Sequence, residues 1–142
     1  MKDLCIVVPE NNSNAGSIVL AYEVFTKANE YHITTGKHAV FNIQLVGCAE
    51  KTLLYNGRFT INPDVNLRDN PQADLVIIPT LDEHLAQTLH TSQVLIDWVT
   101  QQYKLGAEVA SLCTGAFLLA ATGILNGKQC STHWAAAGAF RQ

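Results

Sequence analysis

The sequence has little charge and lacks the features that accompany disorder, membrane insertion or nucleic-acid binding. Charged residues make up 15% of the 142 residues and hydrophobic residues 48%, which is typical of one globular, core-rich domain. A net charge of −3 gives no basic surface for a phosphate backbone, so these residues are not expected to contact DNA themselves. No apolar run reaches membrane-spanning length, and the amino terminus does not resemble a signal peptide. We therefore expect a cytoplasmic protein.

Cysteine and histidine are present, but not in the spacing of a metal site or a disulfide framework. The cysteines form no C-x-x-C pair and no tight cluster, so free thiols are expected. Four of the histidines lack a spacing that would place them on one helix face with cysteine or acidic partners, so no metal and no cofactor are expected. These residues are Cys5, Cys48, Cys113 and Cys130, and His32, His38, His84 and His90.

Strand-like and helix-like stretches alternate along the chain. Apolar runs predict strands over residues 4–8, 41–47, 74–79 and 108–112, and helical periodicity predicts helices over 16–31, 81–89 and 94–103. The pair Asn56-Gly57 predicts a hairpin with a type I′ turn, and residues 62–72 are expected to form a loop. This order predicts a mostly parallel sheet with helices on both faces, and ligands bind such sheets at the carboxyl ends of their strands.

One stretch, residues 106–134, suggests chemistry as well as packing. Cys113 falls between the predicted strand and an apolar helix that opens at Thr114. Unpaired N–H groups and the positive end of the helix dipole favour a thiolate at such a position. Gly115 allows a tight turn without a Cβ clash, as in the nucleophile elbow G-x-S-x-G, although Ser111 occupies the first glycine position.

A histidine follows the cysteine at a distance that allows the two to meet. His133 lies twenty residues after Cys113 and would return to it if the intervening helix and a short strand reversed the chain direction. A cysteine and a distant histidine form a candidate pair of nucleophile and base. A histidine with a purely structural hydrogen bond beside Trp134 is the alternative interpretation.

The run from Ala110 to Lys128, followed by Ser131-Thr132-His133-Trp134, closely resembles the ThiJ/PfpI family of the class I glutamine amidotransferase-like superfamily. Within that family the sequence is most similar to the amino-terminal ligand-sensing domain of AraC-type transcriptional regulators. The resemblance covers essentially the whole chain. It implies a flavodoxin-like three-layer α/β sandwich with a mostly parallel sheet, a homodimer and a small-molecule effector.

The resemblance also leads to an expectation about domain organisation. Residues 1–142 would form one ThiJ/PfpI-like domain that lacks its carboxy-terminal elements, since the family's domain runs on after the T-H-W stretch. A helix-turn-helix domain would follow in an AraC-type regulator. Contact with DNA is expected only through that further domain.

This sequence has some, but not all, of the functional residues that the resemblance implies. Cys113 matches the family's elbow cysteine and His133 its partner histidine, which makes them the candidate catalytic residues. The carboxylate that faces the cysteine in the family's enzymes falls at Ser17, whose hydroxyl cannot shuttle protons near neutral pH. Thr80 stands where those enzymes place a glycine of the oxyanion hole.

Three functional hypotheses follow. The first is a non-catalytic sensor domain of an AraC-type regulator that binds a small molecule near Cys113. The second is a ThiJ/PfpI-type hydratase, hydrolase or glyoxalase-like enzyme that uses a Cys113 thiolate. The third is a thiol redox sensor in which Cys113 itself is oxidised. For Cys113 alone, an inert elbow residue kept by packing is the alternative interpretation. The candidate ligand-binding residues are Ser17, Thr80, Cys113, Thr114, Gly115 and His133.

Overall fold

The structure, a computed structural model, describes residues 1–10, 14–82 and 85–141. Short 3₁₀ turns cover residues 67–69, 113–115 and 134–136. The strands and helices are β1 (Lys2–Val8), α1 (Ala15–Thr34), β2 (Phe41–Gly47), β3 (Thr52–Leu54), β4 (Phe59–Ile61), β5 (Val65–Asn66), β6 (Leu75–Ile78), α2 (Leu85–Thr91), α3 (Gln93–Lys104), β7 (Glu108–Ser111), α4 (Ala116–Ala121) and α5 (Ala137–Phe140).

A five-stranded sheet organises the domain. Its strand order is β5-β2-β1-β6-β7, and every neighbouring pair is parallel. Without the two-residue β5 the strand order is β2-β1-β6-β7. Counted along the chain within this sheet, these are the second, first, third and fourth strands, and a flavodoxin-like sheet begins in that order. The predicted α/β fold with a mostly parallel sheet is therefore confirmed.

Helices cover both faces of the sheet, because the central strands are apolar on both sides. Along β1, Leu4, Ile6 and Val8 pack with Ile18 and Ala21 of α1. The alternate positions of β1 face the opposite way and join the cluster formed with α3 and α4. All of these side chains are buried. Two apolar clusters separated by one sheet give the expected three layers.

Four local expectations need correction. The stretch predicted as a loop over 62–72 contains β5, which pairs with the end of β2, and a 3₁₀ turn. The predicted short strand before His133 does not form, and residues 122–127 are turns instead. The strand predicted over 108–112 ends at Ser111, and the helix predicted over 81–89 begins, within the described residues, at Leu85. Residues 83 and 84 of that prediction lie outside the described residues.

The predicted hairpin is present as β3 and β4. Asn56 and Gly57 both have positive φ, 56° and 80°, and the Arg58 N–H donates to the Tyr55 carbonyl oxygen at 3.3 Å. These are the features that the Asn-Gly pair predicts. Tyr55 also has positive φ, and the paired segments therefore end at Leu54 and Phe59.

The longest described helix, α1, has 20 residues. Neither it nor any other helix in the described part of the chain combines the length and the apolar character that crossing a membrane requires.

Candidate functional site

Cys113 occupies a sharp turn between β7 and α4, as the sequence predicts. Leu112 is still held to the sheet, since its N–H donates to the Ile78 carbonyl oxygen at 2.9 Å. The next residue, Cys113, has φ 52°, in the left-handed region that residues with a Cβ rarely adopt. Its side chain is exposed. The turn therefore presents the thiol to solvent at the carboxyl end of the sheet.

Gly115 is required at this turn because a Cβ would clash there, as the sequence analysis expects. Its own φ is −56°, so the backbone conformation does not demand glycine. A Cβ at this position would instead overlap the carbonyl oxygens of Ile78 and Pro79. Gly115 thus allows the start of α4 to pack directly against the end of β6.

The segment that carries His133 returns to the elbow without a strand. Thr132 holds it there, because its hydroxyl donates to the Cys113 carbonyl oxygen at 3.1 Å. The His133 Nδ1 accepts a hydrogen bond from the Ala135 N–H at 3.2 Å. In the part of the chain that the structure describes, no hydrogen bond joins the Cys113 thiol to the imidazole. The two residues are neighbours at one cavity, but they do not form a bonded pair.

A cavity of about 410 Å³ lies between the elbow and this returning segment. Four of the six candidate ligand-binding residues line it, namely Thr80, Cys113, Thr114 and His133. Sequence reasoning missed the remaining lining residues, which are Leu81, Asp82, Ala135 and Ala136. Leu81 and Asp82 directly follow Thr80 at the carboxyl end of a strand, and that position was the signal available in the sequence.

The other two candidates, Ser17 and Gly115, do not line the cavity. The Ser17 hydroxyl accepts a hydrogen bond from the Thr80 N–H at 3.0 Å and donates to the Asn14 carbonyl oxygen at 2.8 Å. The Asn14 N–H in turn donates to the Thr80 carbonyl oxygen at 3.1 Å. Ser17 therefore fastens the start of α1 to the segment after β6, one residue away from the cavity.

The backbone groups after β6 are satisfied by side chains of the domain itself. Thr114 bonds both polar groups of Leu81, since its Oγ1 accepts from the Leu81 N–H at 3.0 Å and donates to the Leu81 carbonyl oxygen at 2.7 Å. Together with the bond from the Thr80 N–H to Ser17, both amides that follow Pro79 are engaged. These N–H groups would have to leave their present acceptors to stabilise an oxyanion.

The remaining cysteines of the sheet layer have a different environment. Burial, with a smaller effect of the Asp3 carboxylate, raises the pKa of the Cys5 thiol to about 11. Burial and the Glu10 carboxylate raise the pKa of the Cys48 thiol, which Arg68 partly offsets. Both thiols are therefore poor nucleophiles at neutral pH. Of Cys5, Cys48 and Cys113, only Cys113 is therefore a candidate nucleophile.

Fold and site together define a class of protein. A parallel α/β sheet with an exposed cysteine in a left-handed strand-to-helix elbow belongs to the α/β proteins with an elbow nucleophile position. Comparison with protein families identifies the family within this class. The chain belongs to the DJ-1/PfpI family, whose model matches residues 6–141.

Similar proteins include an enzyme, a transcriptional regulator and a candidate regulator of known structure. The chain is 32% identical to an isonitrile hydratase of Pseudomonas putida over 75 residues, which are 53% of this chain and 32% of that protein. It is 23% identical to the HTH-type transcriptional regulator CdhR of Pseudomonas aeruginosa over 124 residues, which are 87% of this chain and 34% of the regulator. The crystal structure of a candidate transcriptional regulator from Vibrio parahaemolyticus superposes on this chain with a TM-score of 0.79 at 18% sequence identity. The match covers 99% of this chain and 71% of the Vibrio chain.

These comparisons differ in what they cover. The chain spans about a third of the length of the hydratase and of CdhR. The likeness to the Vibrio protein supports the fold, and the domain shared with CdhR includes nearly all of this chain.

Proposed function

We propose that this domain is the ligand-sensing and dimerisation part of an AraC-type transcriptional regulator and that it binds a small molecule beside Cys113 without converting it. In this proposal a separate helix-turn-helix domain contacts DNA, and the protein acts in the cytoplasm. The relation to CdhR over 87% of the chain supports the regulatory role.

One observation carries the non-catalytic part of the proposal. Both backbone amides after Pro79 already donate to side-chain oxygens, the Thr80 N–H to Ser17 and the Leu81 N–H to Thr114. An oxyanion would have to compete with these acceptors, whereas a ligand that keeps its charge and bonding unchanged does not need the two amides. The hydroxyl at Ser17 also supplies no carboxyl group for proton transfer.

The same hydrogen bonds offer a route from the cavity to the rest of the domain. Thr80 lines the cavity, while its N–H and carbonyl oxygen are bonded to Ser17 and Asn14 at the start of α1. A ligand that shifts Thr80 would therefore change the position of α1. We propose that α1 transmits the ligand signal as a shift between two arrangements of the domain.

The partner that we propose for α1 is a second copy of the chain. The outer side of the helix carries an apolar stripe in which Leu20, Val24 and Tyr31 are exposed. An exposed apolar patch of this kind marks a contact surface. Lys27 lies within this stripe and pairs with Glu30 at 2.7 Å, so the surface carries little net charge to oppose contact with its own copy.

An enzyme of the isonitrile hydratase type is the second candidate. The exposed Cys113 thiol at φ 52° and the 32% identity to the Pseudomonas putida hydratase favour it. The position of the thiol fits a nucleophile, but the engaged amides and Ser17 do not fit proton transfer and oxyanion stabilisation.

An assay of turnover and of binding tests the proposal. With an aliphatic isonitrile such as cyclohexyl isocyanide, we expect hydration no faster than in buffer. A metabolite panel screened by thermal shift should contain a ligand that Cys113→Ser still binds, because a sensor does not need the thiol as a nucleophile. Turnover that Cys113→Ser abolishes would instead establish the enzyme.

A further inference from the structure

The charge of the Cys113 cavity indicates which ligands it accepts. Among the described residues that line it, Asp82 is the only acidic or basic side chain apart from the titratable His133 and Cys113. The Asp82 side chain is exposed, and in residues 1–10, 14–82 and 85–141 no lysine or arginine forms an ion pair with it. Its carboxylate is a hydrogen-bond acceptor without an ion-pair partner among the described residues.

The other walls of the cavity fit a short apolar group. Leu81, Ala135 and Ala136 contribute hydrocarbon surface. The Thr114 hydroxyl proton is not available to a ligand, because it is donated to the Leu81 carbonyl oxygen, and one of the two oxygen lone pairs accepts from the Leu81 N–H. His133 receives the Ala135 N–H on Nδ1, which places the proton of the neutral ring on Nε2 and makes that atom a donor.

The volume sets the size of the ligand. A cavity of about 410 Å³ lies in the lower part of the range of about 300–1,000 Å³ that small-molecule sites occupy. This space accommodates a metabolite with one charged head and a few carbon atoms. An anionic head would face the Asp82 carboxylate with no described lysine or arginine to compensate it.

We propose that the ligand of this cavity is a small organic cation, an ammonium compound whose charged head faces Asp82 and whose hydrocarbon part lies against Leu81, Ala135 and Ala136. This inference rests on the proposed function and specifies the chemical class of its effector. Asp82 is then the residue that determines specificity for charge, while Cys113 forms part of the wall.

Three probes that differ in the head group test the inference. Hexylammonium, 1-hexanol and hexanoate have the same hydrocarbon chain and carry a positive charge, no charge and a negative charge. Titration calorimetry at low ionic strength keeps the charge effect unscreened. We expect hexylammonium to bind at least tenfold more tightly than 1-hexanol and hexanoate to bind least.

Two variants assign the preference to Asp82. Asp82→Asn keeps the size of the side chain and should reduce the tenfold preference to less than twofold. Asp69→Asn is the matched control, because Asp69 is also an exposed carboxylate but follows β5 at the opposite edge of the sheet. It should leave the preference unchanged.

Protection from alkylation locates the bound probe. In a Cys130→Ala background, which removes the other exposed thiol, saturating hexylammonium should slow iodoacetamide labelling of Cys113 severalfold. Hexanoate at the same concentration should not.

The results separate this inference from the proposed function. Preferential binding of 1-hexanol or hexanoate would overturn the cationic ligand, and a preference for hexylammonium that survives Asp82→Asn would overturn Asp82 as the residue that faces its head group. No binding by any probe would overturn the inference as a whole. Ligand sensing would still stand in the first two cases. Conversely, isonitrile turnover would overturn the sensor proposal without affecting the charge preference of the cavity.

Discussion

At the scale of single residues, Cys113 combines an exposed thiol with an unfavourable backbone conformation. A left-handed φ costs a residue with a Cβ about 1–2 kcal/mol. The exposed side chain recovers none of this through burial. The conformation is instead imposed by the hydrogen bonds on either side, from Leu112 to Ile78 and from Thr132 to the Cys113 carbonyl oxygen.

Substitutions at this position should change stability through the backbone rather than through the thiol. We expect Cys113→Gly to raise the free energy of unfolding by up to about 1 kcal/mol and Cys113→Val to lower it by about 1–2 kcal/mol, because β-branched residues tolerate positive φ least. Urea titration measures both changes. Cys113→Ala, which keeps the Cβ strain, is the control and should differ little from the parent protein. A valine variant as stable as the glycine variant would contradict the strain.

Buried Cys5 makes stability depend on alkaline pH. Its pKa is about 11 in the folded state, whereas a free cysteine titrates near 8.5. Between these values the unfolded chain loses the proton and the folded chain keeps it, so raising the pH favours unfolding. Stability is fully retained below about pH 8.5 and declines as the pH approaches 11.

The predicted slope is at most about 1.4 kcal/mol per pH unit for this one thiol. Urea titrations at pH 8, 9 and 10 should show the decline in the parent protein and a shallower slope in Cys5→Ala. Cys130→Ala removes an exposed thiol and should keep the parent slope. Equal slopes in Cys5→Ala and the parent would contradict the assignment to Cys5.

At the scale of elements, Ser17 connects α1 to the end of β6. Its hydroxyl makes two hydrogen bonds, accepting from the Thr80 N–H and donating to the Asn14 carbonyl oxygen, and both lie in a half-buried position. Replacement by alanine leaves the Thr80 N–H without its acceptor. The loss of a buried hydrogen bond costs about 1–3 kcal/mol when one partner remains unsatisfied.

Ser17→Ala should therefore lower the free energy of unfolding by about 1–3 kcal/mol, and Ser17→Thr, which keeps a hydroxyl, should lower it less. Ser131→Ala is the matched control, since Ser131 is exposed. Thermal and urea unfolding give the ranking. If Ser17→Ala is as stable as Ser131→Ala, Ser17 does not fasten α1 to the segment after β6.

Sequence patterns predicted the elements that carry strong local signals. The apolar runs of β1 and β6 and the Asn-Gly turn are confirmed nearly to the residue, because burial on both faces and positive φ restrict which residues fit. The two-residue β5 has no periodicity to detect. It is held by tertiary contacts, including the hydrogen bond from the Asp64 N–H to the Leu45 carbonyl oxygen.

The candidate site could be predicted only in part for a related reason. Thr80, Cys113 and Thr114 lie at carboxyl ends of strands, where a parallel sheet places its ligands. The role of Ser17 could not be predicted, because its hydroxyl meets a backbone amide 63 residues away. Asp82 belongs to no motif, and the role that we propose for it rests on its place in the cavity lining.

At the scale of the whole molecule, one side of the sheet carries a group of exposed apolar side chains. Leu20, Val24 and Tyr31 of α1 are more than half exposed. Phe59 of the hairpin is also exposed, and Ile61 of the same hairpin packs into the cluster beneath α1. A helix of 20 residues is about 30 Å long, and a stable interface needs about 800 Å² from each partner. We infer that the proposed dimer uses α1 together with the hairpin.

The proposed dimer makes a prediction that needs neither effector nor DNA. In reducing buffer the chain should sediment as a species of twice 15.5 kDa at micromolar concentration. The double variant Leu20→Glu/Val24→Glu places four like charges at a two-fold contact and should raise the dissociation constant at least a hundredfold. Val94→Glu/Leu105→Glu changes two exposed apolar residues at α3, which packs on the opposite face of the sheet, and should leave the dimer intact. Dissociation by the α3 pair, with the α1 pair still dimeric, would move the interface to that face, and a monomeric parent chain would remove α1 as the contact between copies.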